Sequence, residues 1–223
     1  MTTESYLNKN ISYFINPRHD LISLMPTDKN QKVLEVGMGG GDTLIQIKKQ
    51  NLALEVSGID LVELPGTNQK NPLIDKIYFF DLEKENLPFA ENYFDTIIAG
   101  DVLEHLVNPW EVLQKLTTVL KVGGCLLISL PNIRDIYALY SILFKGSFAY
   151  TSHGIFDKTH MRFFCKKDMI NLVKSVEQLK IEEIMPIQNF GTQNYKRKIF
   201  NKLTLKIFEE FTTSQYLIRL LKS

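Results

Sequence analysis

The chain has 223 residues, with 26 basic and 25 acidic side chains and a formal net charge of +1. This near balance excludes a protein that holds nucleic acid through its overall positive charge, so we expect no nucleic-acid partner. Hydrophobic residues make up 44% of the chain, which is enough for a hydrophobic core. We expect a single α/β domain over residues 1–223, with a helical leader over about residues 1–30 and a lid over about residues 131–170.

A glycine-rich turn follows the first predicted strand. That strand ends near Glu35, and Gly37, Gly39 and Gly41 then come at every second position, before an apolar pattern with helical spacing. Glycine permits a positive φ and lets the backbone approach a ligand closely. Strand, glycine turn and helix in this order are typical of a nucleotide-type ligand site.

The glycine spacing separates the ligands that such a turn could hold. The dinucleotide pattern G-x-G-x-x-G fails, because Asp42 or Leu44 stands where its third glycine is required. A phosphate loop needs Gly-Lys-Ser/Thr, which the chain does not contain. Asp42 would also repel a pyrophosphate at the helix start. A tight turn that binds nothing is the remaining alternative.

Acidic residues also end the next two predicted strands. Asp60 follows the glycine turn at close to the spacing of about 20 residues that nucleotide sites use for the ribose-binding acid. Asp81 ends the strand over residues 76–80. Ligands of open α/β sheets bind at the carboxyl ends of the strands. Glu35, Asp60 and Asp81 therefore indicate one shared ligand site, although each alone could be an ordinary strand-end residue.

The pattern Glu35-x-Gly37-x-Gly39-x-Gly41 resembles motif I of the class I methyltransferases that depend on S-adenosyl-L-methionine (AdoMet), and the resemblance extends over about residues 12–222. It implies AdoMet as cofactor and a Rossmann-like seven-stranded sheet. That sheet is mostly parallel with an antiparallel final strand, and helices cover both faces. The fourth strand and the approach to it are expected over residues 93–101, and a helix that starts at Asn108-Pro109 is expected to end near Lys121, where Gly123 and Gly124 follow.

The resemblance also implies roles for individual positions. It places Asp60 at the ribose, Asp81 and Leu82 at the adenine, and Asp101 and Val102 beside the methionine and methyl part of AdoMet. Arg18 in the leader could close over AdoMet, meet an anionic substrate, or be a surface arginine. The complete set of expected cofactor-binding residues is Arg18, Glu35, Gly37, Met38, Gly39, Gly41, Asp60, Leu61, Asp81, Leu82, Asp101 and Val102.

Three histidines are candidates for a general base: His105, His153 and His160. Histidine is the side chain best suited to accept a proton near neutral pH. A structural hydrogen bond is the alternative for His105, and a role in holding the lid is the alternative for His160. No compact carboxylate cluster indicates a metal site, so we expect none, although ligands from separate loops would escape a reading of sequence.

The acceptor side is less specific than the cofactor side. The segment Asp157-x-x-His160-x-Arg162-Phe163-Phe164 resembles a bacterial subgroup of these methyltransferases that is associated with glycosyltransferases and surface polysaccharides. We therefore expect O-methylation of a small-molecule or glycan-type acceptor bound under the lid. The alternatives are a quinone or other small-molecule O-methyltransferase and a non-catalytic AdoMet-binding protein.

The surroundings of the protein are indicated by three further features. Cys125 and Cys165 form no Cys-x-x-Cys pair and have no zinc-site spacing, which favours a reducing, cytoplasmic setting. No secretory signal pattern and no run of about 18 apolar residues is present. Basic residues alternate with apolar ones over residues 196–208, so this stretch is either a peripheral membrane contact or a packed helix with a solvated basic face. The oligomeric state is left open.

Overall fold

Seven strands form one sheet in the computed structural model, which describes residues 9, 14–188, 199 and 201–223. The strands are β1 Lys32–Val36, β2 Glu55–Asp60, β3 Lys76–Phe79, β4 Phe94–Gly100, β5 Leu120–Pro131, β6 Leu179–Ile187 and β7 Gln215–Lys222. The helices within these described ranges are α1 His19–Ile22, α2 Asp42–Lys49, α3 Pro109–Val119, α4 Ile136–Lys145, α5 Lys166–Lys174 and α6 Glu209–Thr212, and a 3-10 turn covers Leu103–His105.

The strand order is β3-β2-β1-β4-β5-β7-β6, and β7 runs antiparallel to both of its neighbours. This confirms the predicted Rossmann-like sheet and its antiparallel final strand. The strand order reverses between β1 and β4, which pair in parallel. Such a switch point opens a crevice outside the carboxyl ends of the strands.

Alternate residues of the central strands enter two separate hydrophobic cores. Leu34 of β1 belongs to the core that contains Leu116 of α3. Its neighbour Val33 belongs to the core that contains Leu44 of α2. Because successive side chains of a strand point to opposite faces, the sheet is covered on both sides. The residues at the strand ends are therefore held by a sheet that is packed on both faces.

Helix α3 begins as the sequence predicts but ends earlier. The side chain of Asn108 accepts a hydrogen bond from the Glu111 amide, and Pro109 occupies the first turn. The helix ends at Val119, not near Lys121, and Leu120 already pairs with Phe94 in the sheet. The apolar Leu120 is fully buried, so pairing with β4 extends β5 backward to a point before the two glycines.

The segment over residues 132–165, within the expected lid, is tied at both ends to segments that flank the sheet. The Asn132 side-chain amide donates hydrogen bonds to the carbonyls of Glu210 and Thr213 at 2.8 Å. The amides of Met161 and Arg162 both donate to the carbonyl of Glu104. The far end of the lid therefore rests on the turn that follows β4. Within the described part of the chain, no helix is long and apolar enough to cross a membrane.

Candidate functional site

A cleft of about 260 Å³ opens at the carboxyl ends of β1, β2 and β4. The structure brings twelve of the predicted cofactor-binding and catalytic residues to its walls, whereas Gly41, His153 and His160 are not among the lining residues. The predicted residues that line the cleft are Arg18, Glu35, Gly37, Met38, Gly39, Asp60, Leu61, Asp81, Leu82, Asp101, Val102 and His105.

The glycine turn forms the floor of the cleft. Gly37 has φ +66°, and its amide donates a hydrogen bond to the Ile59 carbonyl at 2.8 Å. A Cβ at this position would lie 2.6 Å from a methyl carbon of Val102, so a side chain here would collide with the facing wall. Gly41 also has a positive φ, +86°, but it caps α2 and packs against Ile74. The absence of a side chain at Gly41 allows the positive φ and the close contact with Ile74.

Asp60 is held in place by the glycine turn. Its two carboxylate oxygens accept hydrogen bonds from the amides of Gly39, at 2.8 Å, and Leu61, at 2.7 Å. The residue is only 3% exposed but lines the cleft. Each carboxylate oxygen can accept more than one hydrogen bond. The fixed carboxylate can therefore also receive hydroxyl donors from a ligand.

Glu35 is buried beneath the glycine turn, where its side chain forms a hydrogen bond with Thr43. Its Oε2 atom has no hydrogen-bond partner among the described residues. Burial raises the pKa of Glu35 to about 8, and the bond to Thr43 and the charge of Arg18 only partly oppose that effect. A buried acceptor without a partner is costly, and a cationic ligand group would relieve that cost.

Arg18 and Asp101 connect the leader to the end of β4. The Arg18 guanidinium donates to Asp101 Oδ2 at 2.6 Å and to both carboxylate oxygens of Asp20. Burial lowers the pKa of Arg18, but Asp101 and Asp20 outweigh it, so the pKa is raised overall. Asp101 also accepts from Ser129 and Gln215, and it has a φ of +56°. Such strained backbone is found where surrounding contacts enforce it, often at functional sites.

Asp81 and Leu82 form the wall beyond β3. The Asp81 carboxylate accepts from the Glu83 amide at 3.0 Å and pairs with Lys84 at 2.9 Å. Burial raises the pKa of Asp81, but these partners outweigh it and hold the pKa below its usual value. An ionised acceptor therefore stands beside the apolar Leu82.

The three candidate histidines lie in different surroundings. His105 lines the cleft, and its Nδ1 lies 3.1 Å from the Thr159 carbonyl. Burial lowers the pKa of His105 to about 3. His160 lies behind it in the lid, with 4.7 Å between the two ring centroids, whereas His153 is at an exposed turn beside Gly154. These positions leave His105 as the candidate that reaches the cleft.

Residues outside the predicted set also line the cleft. Arg18 is the only predicted leader residue there, but Phe14 and Asn16 of the same segment join it. The Phe14 carbonyl accepts from the Gly40 amide at 2.8 Å, so the leader crosses the glycine turn. The other additions are Thr43 of α2 and four residues next to predicted positions: Phe80, Glu83, Gly100 and Leu106.

Comparisons with known proteins match part of this sequence. Residues 34–128 match a family model described as a methyltransferase domain. A demethylmenaquinone methyltransferase of Staphylococcus epidermidis is 31% identical over 134 residues, which cover 57% of this chain and 56% of the relative. The chain thus spans about half the length of the curated relatives it matches.

Solved structures match over nearly the whole chain. An S-adenosylmethionine dependent methyltransferase from Mesorhizobium loti has a TM-score of 0.63 at 16% identity, covering 97% of this chain and 100% of that one. A SAM dependent methyltransferase from Archaeoglobus fulgidus has a TM-score of 0.63 at 18% identity, covering 98% and 97%. The chain has the fold of the class I AdoMet-dependent methyltransferases. The solved structures share the fold, and the sequence match to a methyltransferase domain covers residues 34–128.

Proposed function

We propose that this protein transfers the methyl group of AdoMet to a small-molecule or glycan-type acceptor. The observation that carries the proposal is the cleft itself, in which Glu35, Asp60 and Asp101 surround a glycine turn that has no room for a side chain at Gly37. A ligand with a sulfonium and an ammonium group suits this acidic lining. The buried Oε2 of Glu35, which lacks a partner among the described residues, fits a cationic ligand and would be unfavourable beside a phosphate.

Each wall of the cleft would hold one part of AdoMet. Asp60 would accept the ribose hydroxyls, Asp81 and Leu82 would hold the adenine, and Glu35 with Asp101 would face the charged methionine end. When bound, AdoMet supplies a methyl group activated by a positively charged sulfur. The fixed carboxylates and the rigid turn hold the donor in one orientation, and such positioning can lower a barrier by roughly 7–11 kcal/mol.

We favour oxygen as the methylated atom, with His105, His153 and His160 as the candidates for handling the hydroxyl proton. A neutral imidazole can accept a proton, and a general base contributes typically 10²–10⁴-fold. His105 is the one at the cleft, but its low pKa makes it a weak proton acceptor. His105 is therefore better suited to orienting the acceptor than to removing its proton.

A glycan-type acceptor is supported by the resemblance of residues 157–164 to the subgroup associated with surface polysaccharides. A lipid-linked form of that acceptor would suit the C-terminal segment, where Leu203, Leu205 and Ile207 are strongly exposed beside Lys202 and Lys206. We propose peripheral contact with an anionic membrane there. Residues 196–198 of the basic stretch lie outside the described residues. Free Cys125 and Cys165 accord with the reducing, cytoplasmic setting that we expect.

A quinone is the second candidate acceptor, because the curated relative from Staphylococcus epidermidis carries the name demethylmenaquinone methyltransferase. Incubation of the purified protein with AdoMet and either polyprenyl-phenols or a panel of sugars separates the two candidates. Methylation of the phenols alone would replace the glycan proposal.

The activity is tested by incubating the protein and a cell extract with AdoMet labelled in its methyl group, followed by identification of labelled products. We expect one major product with the wild type and little with Asp60→Asn. AdoMet binding by calorimetry without any labelled product would favour a non-catalytic AdoMet-binding protein. Absence of AdoMet binding would refute the proposal.

A further inference from the structure

A buried cluster of three side chains lies directly behind the cleft. Glu104, His105 and His160 each offer one potential ligand atom, and these atoms lie within 4.8 Å of one another. Glu104 is 1% exposed and His105 is 7% exposed. Glu104 and His105 come from the 3-10 turn after β4, and His160 comes from the lid. The fold thus brings together three metal-binding side chains from two separate segments.

Backbone carbonyls orient both imidazole rings. The Nδ1 of His105 lies 3.1 Å from the Thr159 carbonyl, and the Nδ1 of His160 lies 3.0 Å from the Ile155 carbonyl. A carbonyl only accepts, so each Nδ1 carries the proton and donates it. The lone pair of each neutral ring is then on Nε2. A carbonyl on the far nitrogen is the usual support of a metal-binding histidine.

Glu104 supplies a third acceptor in the same space. Its Oε2 has no hydrogen-bond partner within the described part of the chain, and its Oε1 lies 3.9 Å from His160 Nε2, which is too far for a hydrogen bond. Glu104 Oε2 is therefore a buried acceptor that a bound cation would satisfy.

We propose that Glu104, His105 and His160 bind a divalent transition-metal ion of the zinc type. Two histidines and one glutamate are a ligand set of catalytic zinc sites, which keep a fourth position open. His105 lines the cleft, so the open position would face the acceptor and could take one of its oxygens. Only this last role rests on the proposed methyl transfer, and metal binding does not.

The ligand atoms have to draw together for the metal to bind. Zinc–nitrogen bonds are about 2.0–2.1 Å, which places tetrahedral ligand atoms roughly 3.3 Å apart. The largest separation in the cluster exceeds this by about 1.5 Å. Rotation of the Glu104 side chain, which has no hydrogen bond at Oε2, can supply part of that movement.

Metal binding is measured on the full chain after treatment with a chelator. Equilibrium dialysis against Zn²⁺ is expected to give one bound ion per chain, and Co²⁺ is expected to give the intense visible bands of a tetrahedral site. Glu104→Gln and His160→Gln should each weaken Zn²⁺ binding at least tenfold. His153→Gln, which changes an exposed histidine outside the cluster, should leave binding unchanged.

A wild-type protein that binds no Zn²⁺ and shows no rise in melting temperature with Zn²⁺ would overturn the proposal, whether or not the variants fold. Equal affinity in wild type, Glu104→Gln and His160→Gln would also overturn it. AdoMet binding by the metal-free protein is measured separately by calorimetry. If Zn²⁺ fails to bind but AdoMet binds, the metal site alone is refuted, and the opposite result refutes the methyltransferase proposal alone.

Discussion

Asp60→Asn is the substitution that most directly tests the cofactor site. Asparagine has the same shape, but one carboxylate oxygen becomes an amide that donates hydrogen bonds. In the structure both oxygens of Asp60 already accept from backbone amides, those of Gly39 and Leu61. The new amide would therefore face one of these N–H groups, and that donor would lose its partner.

The magnitude follows from these contacts. A buried donor left without a partner costs about 1–3 kcal/mol, so the free energy of unfolding should fall by that amount. A charge-assisted hydrogen bond contributes roughly 1.5–3 kcal/mol. Loss of one such bond to a ribose hydroxyl should weaken AdoMet binding at least about tenfold, since tenfold corresponds to about 1.4 kcal/mol.

Asp75→Asn is the matched control. The Asp75 carboxylate accepts from the Val56 amide at 2.8 Å, near the opposite end of β2, pairs with Lys48 at 3.0 Å, and does not line the cleft. Both variants should lose stability in chemical denaturation. In calorimetry, only Asp60→Asn should lose AdoMet affinity. Equal AdoMet affinities of the two variants would show that Asp60 does not contact the ligand.

Three further outcomes are expected. Gly37→Ala should lower the thermal stability more than Gly123→Ala. Both glycines have a positive φ, so each alanine incurs roughly 1–2 kcal/mol of strain, but only the alanine at position 37 would also collide with Val102. Equal losses of stability would contradict the close approach of Gly37 to Val102. Since the pKa of Glu35 is raised to about 8, its carboxyl is protonated below that pH, and AdoMet should expel the proton and bind more tightly as pH rises toward 8. Calorimetry in two buffers of different ionisation enthalpy measures the release, which Glu35→Gln should abolish; release that persists in Glu35→Gln would assign the proton to another group. Lys222→Met should reduce the free energy of unfolding by about 1–3 kcal/mol with AdoMet affinity unchanged, because the Lys222 ammonium donates to the carbonyls of Thr117 and Leu120 far from the cleft; an unchanged denaturation midpoint would refute this.

The glycine turn and the strand-end acids could be predicted because their positions follow from local pattern. Apolar runs define the strands, and the carboxyl ends of parallel strands meet at one edge of the sheet. Glu35, Asp60 and Asp81 therefore had to approach one another once the strand order was right. The end of α3 could not be predicted in this way, since Leu120 joins β5 only because Phe94 is there to pair with it.

Contacts between loops required the folded chain. Arg18 had three equally open interpretations in the sequence, and the structure pairs it with Asp101, 83 residues away. His153 and His160 looked alike as candidates, yet one lies at an exposed turn and the other meets Glu104 in the interior.

The sequence by itself determined the bend after β1 and the acidic lining of the cleft, because periodicity and residue type act over a few neighbouring positions. The seven-stranded sheet was implied by the resemblance to known methyltransferases. Tertiary structure alone decided which lid histidine reaches the turn after β4 and how the leader crosses the glycine bend. Those contacts depend on the path of long connections, which is set by packing against the finished sheet and leaves no short-range signal in the chain.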